Sequence, residues 1–208
     1  MIRVLIVDDH GVVRAGFRRL INDQKDMCVV GEAESGEKSV LMFKEQRPDM
    51  VVMDLSMPGI GGLDAIRQIL VKDRDAKILV LTAYTDIVWS RKVLHSGARG
   101  LLSKNCSPST FLDALHAVAE GKPYIEQQIA QDLALDKAGN DSLDNLSERE
   151  FQIFRMLAEG HSSKQISSLL NLSPKTISTY KSHIFDKLDV GNVAGLTRLA
   201  IQKGVVEL

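Results

Sequence analysis

Met50-Val-Val-Met-Asp54-Leu-Ser-Met-Pro-Gly59 is the stretch that decides the fold. A short unbroken apolar run closed by turn residues reads as a buried strand of a parallel sheet. A carboxylate at the carboxyl end of such a strand lies where open α/β sheets bind ligands. The same pattern recurs on both sides of it. Ile2-Arg-Val-Leu-Ile-Val7 runs into Asp8-Asp9, Lys77-Ile-Leu-Val-Leu-Thr82 ends in a hydroxyl, and Arg99-Gly-Leu-Leu-Ser-Lys104 ends in an ammonium. If these strands are neighbours, three carboxylates, a hydroxyl and a lysine meet at one edge. Any one of these aspartates could simply cap a strand or start a turn; five such residues at successive strand ends point to chemistry.

Three carboxylates in one pocket repel, and each favours protonation of the next. A hard divalent cation relieves that cost, and oxygen ligands with open water positions suit Mg²⁺. A carboxylate nucleophile beside a metal, with Thr82 and Lys104 able to hold phosphoryl oxygens, is equipment for an aspartyl phosphate.

Between the strands, helical patterns run over about 12–23, 36–46, 62–72, 86–97 and 108–120. Ser35 offers an N-cap, and Ser107-Pro108 places a cap before a proline at the first helical position. Alternating strands and helices predict a doubly wound α/β domain with a five-stranded parallel sheet, flavodoxin-like in architecture.

The pattern breaks after Gly121-Lys-Pro. Tyr124 to Leu135 has helical spacing and reads as a short linker helix, and Lys137-Ala-Gly-Asn-Asp-Ser142 reads as a flexible linker. From Leu146 onward the pattern is all helix. Ser147-Glu-Arg-Glu150 is a capping box, and Gly160 stops the helix that it starts. A second helix begins at Ser162 or Ser163 and ends at Asn171, and Ser173-Pro174 opens a third that runs to Leu188. A fourth covers 193–203. The expected division is therefore 1–121, a linker over 122–145, and an all-α four-helix domain over 146–208.

Two helices joined by a tight turn, the second opening Ser-Pro-Lys-Thr, fit a helix-turn-helix whose second helix enters the DNA major groove. Ile177, Ile184, Phe185 and Leu188 form a stripe facing the core. Lys175, Thr176, Ser178, Thr179, Lys181, Ser182 and Lys187 remain to meet bases and phosphates. Net charge gives little help. Residues 146–208 carry 8 lysines and arginines against 6 acidic residues, a balance of +2, within a chain of net charge −1.

These words carry a resemblance. Asp8-Asp9, Asp54, Thr82 and Lys104, with Val7-Asp-Asp-His10 and Met53-Asp-Leu-Ser-Met-Pro-Gly59, resemble the receiver domain of two-component response regulators. Leu146-Ser-Glu-Arg-Glu150, Leu172-Ser-Pro-Lys-Thr176 and Ile184-Phe-Asp-Lys-Leu188 resemble the LuxR-type output domain. Together they resemble the NarL/FixJ class. Gly31-Glu-Ala-Glu-Ser-Gly36 and Leu172 to Lys181 are similar to its GacA/UvrY branch.

The resemblance implies phosphorylation of Asp54 by a sensor histidine kinase. It implies Mg²⁺ held by Asp9, Asp54 and the Ser56 carbonyl, with Asp8 close by. It also implies promoter DNA as the target and a homodimer when active, paired through the last helix. One position departs from the pattern: Leu101 stands where most receivers carry Tyr or Phe. Either packing by Leu suffices, or phosphorylation is weakly coupled to output; Tyr84 and Trp89 lie near enough to supply a ring.

Two other functions remain open on residues alone. An Asp-nucleophile phosphohydrolase needs a second aspartate two residues after the first, where this chain has Ser56, so an enzyme is not expected. A DNA binder indifferent to phosphorylation is the alternative that Leu101 raises. No apolar run reaches the length of a membrane span, and Met-Ile-Arg-Val leads straight into a strand, so a cytoplasmic protein is expected. Cys28 and Cys106 are expected as free thiols, the first a small core residue.

Overall fold

The computed structural model describes residues 1–83, 86–135 and 142–206. Tyr84 and most of the polar linker, residues 137–141, lie outside them. Two compact units divide the chain, Met1–Leu135 and Asp136–Leu208.

In the first unit strands and helices alternate. The strands are β1 (Ile2–Val7), β2 (Met27–Ala33), β3 (Met50–Asp54), β4 (Lys77–Thr82) and β5 (Gly100–Ser103). The helices that follow them are α1 (Gly11–Asn22), α2 (Gly36–Gln46), α3 (Gly61–Lys72), α4 (Ile87–His95) and α5 (Pro108–Ala119). The sheet is parallel in the order β2-β1-β3-β4-β5-β6, six strands among the described residues rather than the five expected.

The sixth strand is Tyr124–Ile125, read from the sequence as the start of a helix. Its aromatic and β-branched residues suit a pleated edge, and the Tyr124 and Glu126 amides donate to the carbonyls of Arg99 and Leu101. The linker helix α6 therefore begins only at Gln127 and runs to Leu135, where it packs against α4. Glu126, between the two, accepts the Ser103 amide at 2.7 Å.

Successive strand residues face opposite sides. Val4, Ile6, Met50, Val52, Leu79, Leu81 and Leu102 pack with Ile21 of α1 and with Phe111, Leu115 and Val118 of α5. Leu5, Val7, Val51, Met53, Val80 and Leu101 are equally buried on the other face, the side of α2, α3 and α4. Both faces are covered, which is why the strands read as unbroken apolar runs. Leu101 is wholly buried and sits in register with Val80 and Ile125. Trp89 on α4 is buried as well. Cys28 and Cys106 are free and half-buried, Cys106 against the core.

The second unit begins with a 3-10 turn (Ser142–Asn145) that the sequence did not reveal. Helices α7 (Glu148–Ala158), α8 (Ser163–Leu170), α9 (Pro174–Leu188) and α10 (Val193–Gln202) follow. Ser147 and Glu150 form the expected capping box, and Ser162 with Gln165 forms a second one. Phe151, Phe154, Ile166, Ile177, Ile184, Leu188 and Leu196 make the core. Phe185, expected in that stripe, is only half-buried, with the Lys181 ammonium 5.4 Å from its ring centroid.

An ion pair between a buried carboxylate and an exposed lysine ties α9 to α7. Glu150 is 4% exposed, and one of its oxygens lies 2.6 Å from the Lys187 ammonium and 2.6 Å from the Ser147 amide. Burial pushes the Glu150 carboxyl up, but the bonds from Lys187 and Ser147 outweigh it and the pKa ends lowered.

Two tests follow from this packing. Gly62 opens α3 against the end of β3, and a Cβ there would lie 2.1 Å from the Asp54 carbonyl oxygen and 2.7 Å from the Leu55 Cα. Backbone cannot yield as a side chain can, so Gly62→Ala should cost about 1–3 kcal/mol in urea unfolding. Gly16, in α1 with nothing within 4 Å of a Cβ, is the control, and Gly16→Ala should raise stability by about 0.5–1 kcal/mol. For Glu150, a depressed folded pKa means stabilisation that is full above its ordinary value of 4.5 and lost as the pH falls through the folded value. The urea midpoint of α9, followed by hydrogen exchange, should fall in the wild type as the pH is lowered below that ordinary value. Glu150→Gln should remove that part of the dependence.

Candidate functional site

The strand order places the polar ends side by side. β1 lies between β2 and β3, the point where the winding of the sheet reverses and a crevice opens at the carboxyl ends. Asp8 and Asp9 follow β1, Asp54 closes β3, Thr82 closes β4, and Lys104 follows β5. The Lys104 amide donates to the Thr82 carbonyl at 2.8 Å, which carries the β4–β5 ladder to the base of the pocket.

Asp8, Asp54 and Thr82 are all buried, at 3%, 1% and 0% exposure. The Lys104 ammonium bridges the two carboxylates, 2.7 Å from Asp8 Oδ2 and 2.8 Å from Asp54 Oδ2. Local bonds hold the other oxygens. The His10 amide donates to Asp8 Oδ1 at 2.7 Å, and the Ser56 amide donates to Asp54 Oδ1 at 3.2 Å. Arg14 of α1 donates to the Asp8 carbonyl and reaches Glu32 at the end of β2, so α1 is fastened over the β1 terminus.

Burial dominates the ionisation of this cluster. It pushes the Asp54 carboxyl above the ordinary carboxylate range; the Lys104 charge works against that shift and Asp8 adds to it. Burial also acts to lower the Lys104 pKa, but Asp54 and Asp8 together prevail and raise it. The direction that geometry supports most firmly is a charged Lys104, because two carboxylates within 3 Å stabilise the ammonium whichever of them holds a proton.

Asp8, Asp9, His10 and Asp54 each offer one ligand atom, and these atoms all lie within 4.8 Å of one another. Three carboxylates so gathered are a donor set for a divalent cation. The sequence reading missed His10, although the imidazole directly after two aspartates was a usable signal. Ser56 adjoins the pocket, with its hydroxyl buried and without a hydrogen-bond partner.

The second polar surface is the outer face of α9. Asn171, in the left-handed region at φ 54°, ends α8, and the Ser173 hydroxyl caps α9 with Pro174 in its first turn. Ile177, Ile184 and Leu188 turn inward. Lys175, Ser178, Thr179 and Ser182 are exposed, while Thr176 and Lys181 are half-buried. Ser173, Lys175, Thr176, Thr179, Tyr180 and His183 line a shallow groove along this face. Tyr180 was not among the residues picked from the sequence. Lys187 is placed differently from the rest: its ammonium is held by Glu150 and the Asn145 carbonyl, within the domain.

Comparison with known proteins agrees with both halves. Residues 4–116 match the response regulator receiver domain, and residues 144–200 match the bacterial regulatory proteins of the luxR family. The chain is 44% identical to the response regulator UvrY of Escherichia coli K12, over 99% of this chain and 96% of that one. It is 40% identical to the response regulator GacA of Pseudomonas aeruginosa, over 100% and 99%. Among solved structures, RcsB of Salmonella enterica serovar Typhimurium, bound to a promoter with the phosphomimetic BeF3−, aligns at a TM-score of 0.66. The identity is 29%, covering 95% of this chain and 98% of that one. Receiver, helix-turn-helix and full-length similarity together place this chain in the NarL/FixJ family of response regulators, in its GacA/UvrY branch.

Proposed function

We propose that Asp54 is the phosphoacceptor of this response regulator, and that its phosphorylation by a sensor histidine kinase controls homodimerisation and binding to promoter DNA. The observation that carries this reading is the Lys104 ammonium within 3 Å of both Asp8 and Asp54 at the switch point of the sheet. In the transfer, an Asp54 oxygen attacks the phosphorus of the kinase's phosphohistidine. The P–O bond forms as the P–N bond breaks, and the imidazole leaves with a proton from solvent. The ionised carboxylate is by far the better nucleophile for this attack. The Lys104 charge works against the burial that pushes the Asp54 carboxyl up, and so favours the nucleophilic form.

Once the phosphoryl group is in place, Lys104 can exchange its Asp54 contact for a phosphoryl oxygen, and the Thr82 hydroxyl is the neighbouring donor from β4. Asp9, Asp54 and the Ser56 carbonyl would hold Mg²⁺, with Asp8 close by; the gathered carboxylates fit a hard cation. Such an ion, when bound, supplies positive charge against the phosphoryl oxygens. Ser56 stands where a phosphohydrolase would carry its acid/base aspartate, so the phosphoryl group is stored as a signal.

In this reading residues 1–121 receive the phosphoryl group, 122–145 link, and 146–208 bind DNA. Lys175, Thr176, Ser178, Thr179, Lys181 and Ser182 face the major groove, and Lys187 is left out because its charge is spent on Glu150. No described helix is long and apolar enough to cross a membrane, and a promoter-DNA target fits a cytoplasmic location. The alternative, DNA binding indifferent to phosphorylation, draws on Leu101, which is buried and carries no ring to swing.

Incubation with a small phosphodonor and Mg²⁺ should yield an acid-stable, base-labile phosphate that Asp54→Ala abolishes. Undiminished labelling of that variant would remove the assignment, and equal DNA affinity with and without phosphate would favour the alternative. On the DNA side, Lys175→Ala should lower the slope of log affinity against log salt by roughly one unit. Lys187→Ala should leave the slope unchanged and lower the stability of the C-terminal unit. A slope change in the second variant would mean that the Glu150 pair opens on DNA.

A further inference from the structure

We infer that His10 is a further donor of the acidic pocket, and that its imidazole makes the site prefer divalent ions that accept nitrogen, such as Mn²⁺ and Co²⁺, over Mg²⁺. This rests on the reading of the pocket as a metal site and concerns which ion that site selects.

The geometry is specific. His10 Nδ1 lies 2.8 Å from Asp9 Oδ1 and 3.3 Å from Asp8 Oδ1. Two ligands bound at about 2.1 Å and at right angles around one ion stand about 3 Å apart, so the imidazole nitrogen already stands at ligand-to-ligand distance from both oxygens. Asp54 completes the group within 4.8 Å. A modest contraction brings the four around one centre.

Lys104 divides the pocket in a way that favours this. It takes Oδ2 of both Asp8 and Asp54. Of the oxygens that it leaves, Asp8 Oδ1 and Asp9 Oδ1 are those that face His10. The ring is 67% exposed, at the mouth of the pocket, where it can turn onto an entering ion with no core to repack. Its backbone is meanwhile fixed, because the His10 amide is bonded to Asp8 Oδ1. The ring therefore pivots from an anchored Cα.

Chemistry supplies the preference. Mg²⁺ dehydrates reluctantly and takes oxygen, so it gains little from an imidazole and keeps water there instead. Mn²⁺ and Co²⁺ accept nitrogen, with affinity rising from the first to the second along the first-row order. The rival account is a simple His10–Asp9 ion pair, which any bound cation would displace. In that case the ring would add nothing to the affinity of one metal over another.

Calorimetric titration of the full-length protein with MgCl₂, MnCl₂ and CoCl₂ separates the two, using the wild type, His10→Ala and Asp9→Asn. His10→Ala should weaken Mn²⁺ and Co²⁺ by about tenfold or more and change Mg²⁺ by less than about threefold. Pulsed EPR of bound Mn²⁺ should show ¹⁴N coupling in the wild type that His10→Ala abolishes. Absence of that coupling, or equal effects of His10→Ala on all three ions, overturns the inference. The underlying reading fails separately: if Asp9→Asn leaves all three affinities intact, the pocket is not the metal site. If Asp9→Asn weakens all three ions and His10→Ala none, the pocket stands and His10 is not a ligand.

Discussion

The Lys104 ammonium between two buried carboxylates is the constraint around which the first unit is arranged. Asp8 and Asp54 are removed from water almost completely, and without a cation they would drive each other toward the neutral form. Burying an ion pair is seldom a net gain, because desolvation consumes most of the attraction, and an apolar replacement of equal volume is often as stable. The cluster is therefore a site that the sheet tolerates. What makes it tolerable is strand order. Only with β1, β3, β4 and β5 adjacent can a lysine after β5 span to carboxylates after β1 and in β3. Gly62, which lets α3 approach the Asp54 carbonyl, and Arg14, which bonds the Asp8 carbonyl, hold the two arms at the distance that Lys104 requires.

That arrangement was legible in the sequence because each part was a local pattern. Unbroken apolar runs gave the strands, polar residues at their ends gave the pocket, and serine caps gave the helix starts. What escaped were features that depend on partners distant along the chain. Tyr124 and Ile125 have too short a run to declare a strand, and they become one only because β5 offers an open edge. Lys187 reads as a basic residue on a basic helix. Its partner Glu150 lies 37 residues earlier, and the capping box already gave that glutamate a sufficient reason to be there. His10 was read as a flanking word of a motif, and its spacing to Asp9 emerges only once the chain after β1 has turned. Phe185 has the right helical phase for the core, yet the core is filled before it reaches in.

The added strand changes what β5 can do. In a five-stranded sheet β5 would be an edge with one row of free amides and carbonyls. Here it is paired on both sides, and the amide of its last residue, Ser103, is bonded by the Glu126 carboxylate. Leu101 is thus held between Val80 and Ile125 with no exposed face. A side chain locked in this way contributes packing and no rotation. Any displacement of the Lys104 end of β5 has to be passed along the ladder, to Thr82 through the Lys104 amide on one side and to Glu126 and α6 on the other.

On the DNA side, weak net charge shifts the burden to individual groups. A balance of +2 over the last 63 residues gives little long-range attraction, and one of those cations, Lys187, is neutralised internally. The hydroxyls of α9 are not interchangeable either. Ser178 and Thr179 donate to the Pro174 and Lys175 carbonyls of their own helix, and Thr176 shares a hydrogen bond with Ser173. With their protons so engaged, Ser178 and Thr179 present lone pairs outward, and in the proposed reading of α9 these would suit base-edge donors such as the amino groups of adenine and cytosine. Guanine offers acceptors there, and the exposed Lys175 ammonium would be a donor suited to them. The division of labour along α9 therefore follows from which hydrogens its own backbone has already claimed.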